Sequence, residues 1–351
     1  MKLYRYRPIG SLLYKELLYN ELYPADFKEL NDPIDLNAEI NFQPRSTDEV
    51  YGLLHYLCLL SVRITERIEW LKLLTNENDV AKSVESFEGI LRSQEVRSVA
   101  GLRKALSDIY ASEPGAFPYL EVSGQIADLL GNEIGQVTQN SRAVCFTQRK
   151  DNSLMWSHYG GGHNGICLEF SLKKTANNTC EIPLQYIVRN PDHKNKIDSP
   201  ISYKEEIKKV IYGTRPVINF HDFLPVVSNL TDIDVIEISK DRWRSYASYI
   251  ADLYLQKGLH WKYEAEWRLI EVRFRKDISN EGKLLYYDPR TISSLYFGSR
   301  VVQSDVDRII YLFRKQKSLK TEFYREAFNF RGEIVFVPVE IDEDKCVEYK
   351  E

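Results

Sequence analysis

Two carboxylates and a guanidinium fall at alternate positions in the stretch His260–Phe274. Read as a strand, this stretch places Glu264, Glu266 and Arg268 on the face that continues as apolar Ile270. Carboxylates two residues apart on a strand lie about 7 Å apart, and partial burial at that distance raises at least one pKa. The pattern is typical of a strand that crosses the floor of a cleft. A surface ladder of charges, or a bulge that resets the alternation, fits it equally well.

A second group of chemically capable side chains lies within Val144–Phe170. The sequence predicts a strand, a short helix around Met155–Tyr159 capped by Asn152 or Ser153, a glycine turn and a second strand. The three glycines Gly160–Gly162 end the helix and let the backbone approach another group closely. This stretch therefore joins His158 and several aromatic rings to a turn that is suited to ligand contact.

Composition and charge are those of an ordinary soluble globular protein. The chain has 351 residues, 43% of them hydrophobic, and a net charge of −4, so no basic field attracts nucleic acid. The five cysteines form no CxxC pair, which argues against a disulfide framework or a zinc ribbon. Cys145 and Cys167 fall in apolar strands and are predicted core residues. No signal-peptide pattern and no membrane-length apolar run occurs, so we expect a cytoplasmic protein with no membrane partner.

The pattern of apolar residues divides the chain into a core and a helical insertion. Residues 46–138 show helical apolar periodicity, whereas residues 1–45 and 139–351 contain many short strand patterns. The predicted helices of the insertion are about 51–74, 78–93, 96–112 and 122–137. We therefore predict an α+β core with a mixed or antiparallel sheet, interrupted by an all-helical insertion. The insertion carries no catalytic motif, and we expect it to act as a lid, as scaffold or as the contact surface for a partner protein.

Two aspartates near the beginning of the chain have two interpretations. The preceding residues predict a strand at Lys2–Tyr6, a helix at Ser11–Tyr19 and a short strand at 21–23. Asp32 and Asp35 follow, around an Asn-Asp-Pro turn signal. A turn and a role in a functional site explain these aspartates equally well.

Four blocks of the sequence, taken together, resemble one bacterial protein family. The blocks are Leu3–Tyr6; Leu22–Tyr23 with Phe27 and Asn31–Pro33; Cys145–Phe146 with Met155–Tyr159 and Gly165–Leu168; and Trp261–Arg268 with Phe297–Gly298. In this combination the chain resembles the bacterial domain-of-unknown-function family 2971. That family name implies no established chemistry.

The order of these blocks is also similar to the ADP-ribosyltransferase fold. In that fold a first strand bears an Arg or His that holds NAD, and a second strand with a short helix packs under the nicotinamide. A later strand bears a catalytic glutamate that contacts the ribose. The resemblance implies Arg5 as the first-strand residue and Thr147 and Tyr159 beside the nicotinamide. It implies Glu264 or Glu266 at the ribose hydroxyl.

The hypothesis that follows from this similarity is an NAD-dependent ADP-ribosyltransferase or NAD glycohydrolase, of the bacterial defence or toxin type. It adds Tyr6 and Trp156 to the candidates for cofactor binding, and Arg268 and His158 to the catalytic candidates. A carboxylate beside the ribose would stabilise the oxocarbenium-like centre that forms when the glycosidic bond breaks. The hypothesis requires Arg5 and the two glutamates on the same side of the sheet. The Ser-Thr-Ser triplet usual in that fold is replaced here by Phe-Thr-Gln.

Two other classes of function stay open. His158 and His163, with Asp151 and the two glutamates, are candidate ligands of a metal-dependent hydrolase or nuclease, although their five-residue spacing is not a standard zinc motif. Alternatively, a tyrosine-rich cleft holds a nucleotide or peptide without turnover, as in a sensor. The main hypothesis implies NAD as cofactor and a small-molecule nucleotide as partner, and it assigns no residue to a metal. It leaves open whether the acceptor is a protein or a nucleic acid.

Overall fold

The computed structural model describes most of the chain. Phe27, Pro33 and Phe274 lie outside the described residues. The described residues are 1–26, 29–32, 35, 38–67, 77–93, 96–112, 115, 117–138, 141–186, 201–222, 248–272, 285–315 and 320–341.

The α-helices with both ends among the described residues fall into two groups, and further helical residues occur at 220–222 and 248–253. Four belong to the predicted insertion, and three flank the strands. They are α1 (Ser11–Tyr19), α2 (Thr47–Thr65), α3 (Glu77–Ser93), α4 (Val99–Ser112), α5 (Ser123–Thr138), α6 (Ser153–His158) and α7 (Gln303–Lys315). Short 3-10 helices occur at Pro118–Val122, Leu259–Glu264 and Pro289–Thr291. Within the described residues, no helix combines the length and apolarity that a membrane span requires.

Local chemistry explains where two of these helices begin and end. The Ser46 side chain accepts a hydrogen bond from the Glu49 N–H, so α2 begins four residues before the predicted start. It ends where Glu66 adopts a left-handed conformation, with φ 60°. Asn152, one of the two predicted caps, accepts from the Leu154 N–H and begins α6.

Most strands join one large mixed sheet. The strands are β1 (Lys2–Pro8), β2 (Glu21–Leu22), β3 (Ala25–Asp26), β4 (Glu39–Asn41), β5 (Arg142–Thr147), β6 (Gly165–Ser171), β7 (Lys173–Lys174), β8 (Cys180–Tyr186), β9 (Ile201–Lys209), β10 (Ile211–Tyr212), β11 (Val217–Asn219), β12 (Gln256–Lys257), β13 (Glu266–Glu271), β14 (Leu285–Tyr287), β15 (Ile292–Phe297), β16 (Glu322–Phe328) and β17 (Ile334–Pro338).

The sheet runs in the order β17-β16-β15-β6-β1-β5-β13-β9-β8-β14-β2, with β3 beside β5 and β7 beside β8. Most neighbours are antiparallel, but β15 and β16 are parallel. Separate parallel pairs join β10 to β12 and β4 to β11. The prediction of an α+β protein with a mixed sheet is confirmed.

The two faces of the central strands pack against different apolar cores. One face, with Leu3, Val144 and Trp267, packs with residues of α1 and α7. The other face of β5 and β13, with Ala143 and Ile270, packs with the buried residues of α2–α5. Successive side chains of β5 and β13 therefore point into two different cores. This alternation fixes which side chains are available to a site on either face.

Candidate functional site

The sheet opens beside β5, and the opening forms a cavity. Strand β1 pairs with β6 along its whole length, but among the described residues it pairs with β5 only at Tyr4 and Thr147. At its other end β5 pairs with β3, through Ala25 and Ala143. A cavity of about 220 Å³ is lined by residues of all three strands. The divergence of β1 from β5 therefore creates the space that a ligand would occupy.

The cavity walls combine aromatic rings with ionisable groups. Its aromatic residues are Tyr4, Tyr6, Tyr23, Phe146 and Tyr159. Its ionisable residues besides tyrosine and cysteine are Arg5, Glu29, Asp32, Asp35, Lys257, Glu264 and Glu266. This mixture suits a ligand that presents both a flat ring and polar groups.

Arg268 is the centre of a buried ionic cluster at this cavity. Its guanidinium donates to both carboxylate oxygens of Asp35, with Nη1–Oδ1 at 2.7 Å and Nη2–Oδ2 at 2.5 Å. It also donates to both oxygens of Glu266, with Nε–Oε1 at 2.8 Å and Nη2–Oε2 at 3.0 Å. Two bidentate pairs use the planar fork that distinguishes arginine from lysine. Asp35 thus belongs to the cluster, and its N–H also bonds to the Asp32 carbonyl, which confirms the turn interpretation of this aspartate.

Lys257 connects this cluster to Glu264. Its ammonium nitrogen lies 2.7 Å from Glu264 Oε2, 2.9 Å from Glu266 Oε2 and 3.1 Å from Asp35 Oδ2. Lys257 is 7% exposed, and the pairing with three carboxylates compensates for the loss of hydration. Lys257 was not among the predicted site residues, because its position in the sequence, just before Gly258, gives no sign of its partners.

Glu264 reaches the cluster by a route that the strand interpretation did not predict. The strand begins only at Glu266, and Glu264 is the last residue of a 3-10 helix. Ala265 between them has φ 45°, in the left-handed region that non-glycine residues seldom occupy. The prediction that Glu264 alternates along the strand is therefore wrong. The shared face of Glu266, Arg268 and Ile270 is correct, because these three residues do lie on β13.

Tyr159 and Thr147 hold the other side of Glu264. The Tyr159 hydroxyl donates to Glu264 Oε1 at 2.5 Å, and the Thr147 hydroxyl donates to the Glu264 carbonyl. Tyr159 follows α6, and Thr147 is the last residue of β5. The site therefore joins three distant parts of the chain, two of which contain residues predicted to flank a ligand.

The two glutamates have opposite pKa shifts. Burial, reinforced by the negative charge of Glu266, raises the pKa of Glu264 from 4.5 to about 7. Burial alone would also raise the pKa of Glu266, but Arg268 and Lys257 outweigh it and hold that pKa below its usual range. Glu264 is therefore the carboxyl group that can exchange a proton near neutral pH, and Glu266 is a fixed anion.

A charge count gives the same assignment. Asp35, Glu264 and Glu266 supply three carboxyl groups to the cluster, against the two cations Lys257 and Arg268. With all three ionised, the buried cluster carries a net charge of −1. Asp35 and Glu266 bond directly to Arg268, whereas Glu264 contacts only Lys257 of the two cations. A proton on Glu264 therefore neutralises the cluster at a lower free-energy cost than a proton on either of the other two carboxylates.

Arg5 lines the cavity from the opposite face of the sheet. Directly paired residues share a face, so Tyr4, Thr147 and Glu266 point to one side, and Arg5 points to the other. The required placement of Arg5 and Glu266 on one side of the sheet is therefore wrong, whereas Glu264 precedes the strand and the register assigns it no side. Both groups nevertheless line one cavity, because the sheet is open between β1 and β5.

Arg5 carries a buried donor that the fold does not satisfy. It is 8% exposed, and among the described residues its Nε has no hydrogen-bond partner. Its Nη2 lies 3.9 Å from Glu16 Oε1, while Arg7 holds both oxygens of that carboxylate. Burial lowers the pKa of Arg5 from its ordinary value. A buried guanidinium with an unpartnered Nε beside a cavity is suited to an anionic ligand group.

Tyr6 and Trp156 form an aromatic support beside the cavity. Their rings meet edge to face, with centroids 5.0 Å apart, and only Tyr6 lines the cavity. Trp156 is fully buried and donates from its indole nitrogen to the Lys150 carbonyl. Of these two cofactor-binding candidates, Tyr6 can touch a ligand in the cavity, whereas Trp156 packs behind it.

The histidines of the metal hypothesis have separate partners. His158 is exposed, and its Nδ1 lies 3.0 Å from the Tyr263 hydroxyl. His163 Nδ1 lies 2.8 Å from Glu326 Oε2. Across the described ranges, no group of three or more His, Cys, Asp or Glu side chains is arranged to hold a metal ion. His158 does not line the cavity that contains Glu264.

Fold and site together define an α+β protein whose mixed sheet opens around a buried ionic cluster. Residues 155–269 match the family described as Protein of unknown function (DUF2971), which confirms the predicted resemblance over this range. The matched range includes Tyr159, Lys257, Glu264, Glu266 and Arg268. No curated protein and no solved structure matches the chain.

Proposed function

We propose that the protein cleaves the bond between ribose and nicotinamide in NAD, as an ADP-ribosyltransferase or an NAD glycohydrolase. One observation carries the proposal: Glu264, with its pKa near 7, lines the same cavity as aromatic rings and a buried, incompletely bonded arginine. A dinucleotide of this type offers a flat ring, a ribose and a pyrophosphate, which are the groups that such walls complement.

Glu264 is the proposed catalytic residue. When the glycosidic bond breaks, its electron pair leaves with nicotinamide, and positive charge develops on the ribose. The Glu264 carboxylate stabilises that charge electrostatically and accepts a hydrogen bond from a ribose hydroxyl. A nucleophilic oxygen or nitrogen of the acceptor, or water, then bonds to the ribose carbon and loses a proton. A carboxyl group with a pKa near neutrality can take up that proton.

Arg5 and the tyrosines are the proposed binding residues. The Arg5 guanidinium would donate to the pyrophosphate through the opening of the sheet, which would satisfy its buried Nε. Tyr6 and Tyr159 supply rings at the cavity wall for the nicotinamide. Arg268 does not line the cavity, and its pairing with Glu266 holds that carboxylate in the cavity wall.

The test is NAD consumption by the purified protein, measured as release of nicotinamide. We expect Glu264→Gln to reduce the release at least about 100-fold, as the loss of one electrostatic stabiliser does. Glu85→Gln, which alters an exposed residue of α3, is the matched control and is expected to keep wild-type activity. Calorimetric binding of NAD that Arg5→Met abolishes would support the assigned anchor.

Three outcomes separate the functions considered. Release that Glu264→Gln abolishes supports the proposal. Binding of NAD without release would replace it with the sensor function. The absence of both binding and release would refute the assignment of NAD to this cavity.

A further inference from the structure

Lys257 and Glu264 stand at the two ends of one short structural unit. Lys257 is the last residue of β12, which pairs with β10, and Glu264 ends the 3-10 helix that follows. Their ion pair closes this segment across 2.7 Å. The unit therefore presents a lysine and a carboxylate to the cavity in a fixed relation.

Both oxygens of the Glu264 carboxylate are held, and the two donors differ in charge. Oε2 accepts from the Lys257 ammonium, and Oε1 accepts from the neutral Tyr159 hydroxyl. Two donors on two oxygens fix the plane of the carboxylate. Among the described residues, Lys257 is the cation in direct contact with the Glu264 carboxylate. The neighbouring cation Arg268 bonds instead to Asp35 and Glu266.

We infer that Lys257 is a positioning residue for Glu264, which fixes the orientation of that carboxylate and supplies the positive charge that favours its ionised form. This inference rests on the proposed catalytic role of Glu264. It goes further by naming the residue that prepares Glu264 to stabilise positive charge. Arginine at this position would keep the charge, whereas an uncharged side chain would leave Glu264 facing the other acids without compensation.

The surroundings of Glu264 are otherwise neutral or negative where they face it. The titratable and charged groups that act on it are Lys257, Tyr159, Tyr212, Tyr263 and Glu266, with Asp35 sharing the lysine. Removal of Lys257 therefore leaves no compensating cation on these neighbours. We expect the neutral form of Glu264 to be favoured more strongly.

The experiment is a carboxyl-carbon NMR titration of wild type, Lys257→Met and Lys257→Arg, with the Glu264 signal assigned by its loss in Glu264→Gln. We expect Lys257→Met to move the titration of Glu264 upward by about 1–3 pH units. We expect Lys257→Arg to move it by less than about one unit. The acidic limb of the pH profile of kcat/KM for NAD should move with the NMR midpoint. A purely structural role would lower the rate without moving that limb.

An unchanged Glu264 midpoint in Lys257→Met, or an equal shift in Lys257→Arg and Lys257→Met, would overturn the inference. If Lys257→Met does not fold, Lys257→Gln supplies the uncharged side chain. If neither folds, a shift of more than one unit in Lys257→Arg still overturns it, and a wild-type midpoint supports it. The NMR titration needs no turnover, so a shifted midpoint in a protein that does not consume NAD refutes the proposed function while the effect of Lys257 on Glu264 stands.

Discussion

The raised pKa of Glu264 predicts an unusual dependence of stability on pH. In the folded protein this carboxyl group holds its proton up to about pH 7, whereas in the unfolded chain it loses the proton near 4.5. The folded state therefore binds more protons between these values. The stabilisation is fully present below 4.5 and is lost as the pH rises through 7. At about 1.4 kcal/mol per pH unit, the interval amounts to about 3 kcal/mol.

Glu264→Gln removes the titrating group and nearly preserves its shape. The quantity to follow is the difference in the free energy of unfolding between wild type and Glu264→Gln. We expect this difference to fall by about 3 kcal/mol between pH 4.5 and pH 7.5. Urea denaturation at half-unit pH steps measures it, and taking the difference cancels the groups common to both proteins. The surface control Glu85→Gln should differ from wild type by less than about 0.5 kcal/mol throughout. A difference for Glu264→Gln that stays constant, or grows with pH, would refute the reasoning.

Three further substitutions probe the remaining parts of the site and fold by urea denaturation. Arg268→Met should destabilise by about 3–5 kcal/mol, because it leaves two buried carboxylates without their bidentate partner; Arg290→Met, at an exposed pair, should have a far smaller effect. Arg5→Met should cost markedly less than Arg268→Met, because Arg5 makes no short ion pair with any residue that the structure describes; an equal cost would contradict a ligand-binding role. Gly298→Ala should cost at least about 2 kcal/mol, because its Cβ would overlap with the backbone carbonyl oxygen of His163. Gly89→Ala, in open space on α3, should instead stabilise by up to about 1 kcal/mol, and a similar effect of the two glycine substitutions would contradict this account.

Local patterns in the sequence were sufficient for the elements that carry most of the site. A short apolar run predicted β5, and alternation predicted β6 and β13, because a strand with one face in a core repeats its apolar residues every second position. The same rule placed Glu266 and Arg268 on one face with Ile270. The helical periodicity of the insertion predicted α2–α5 for the corresponding reason.

Glu264 shows where that rule fails. Its spacing from Glu266 is that of a strand, but a 3-10 helix ends at Glu264, and the left-handed Ala265 turns the chain before the strand begins at Glu266. Both carboxylates still contact Lys257, but neither the two-residue period of a strand nor the period of a helix predicts this geometry. Disagreement between the local sequence pattern and the structure is expected at functional sites, and Glu264 lies at the cavity.

The sequence by itself determined the elements, the apolar faces and the chemical types available to the site, because periodicity records which side chains are buried. Only the tertiary structure decided that Asp35 bonds to Arg268 across 233 residues, that Lys257 joins three carboxylates, and that β1 leaves β5 after one pair. These contacts depend on how distant strands align, and an ion pair leaves no periodic trace in either of the segments that it joins. The opening between β1 and β5, beside which Arg5 and Glu264 line one cavity, is likewise a property of the assembled sheet.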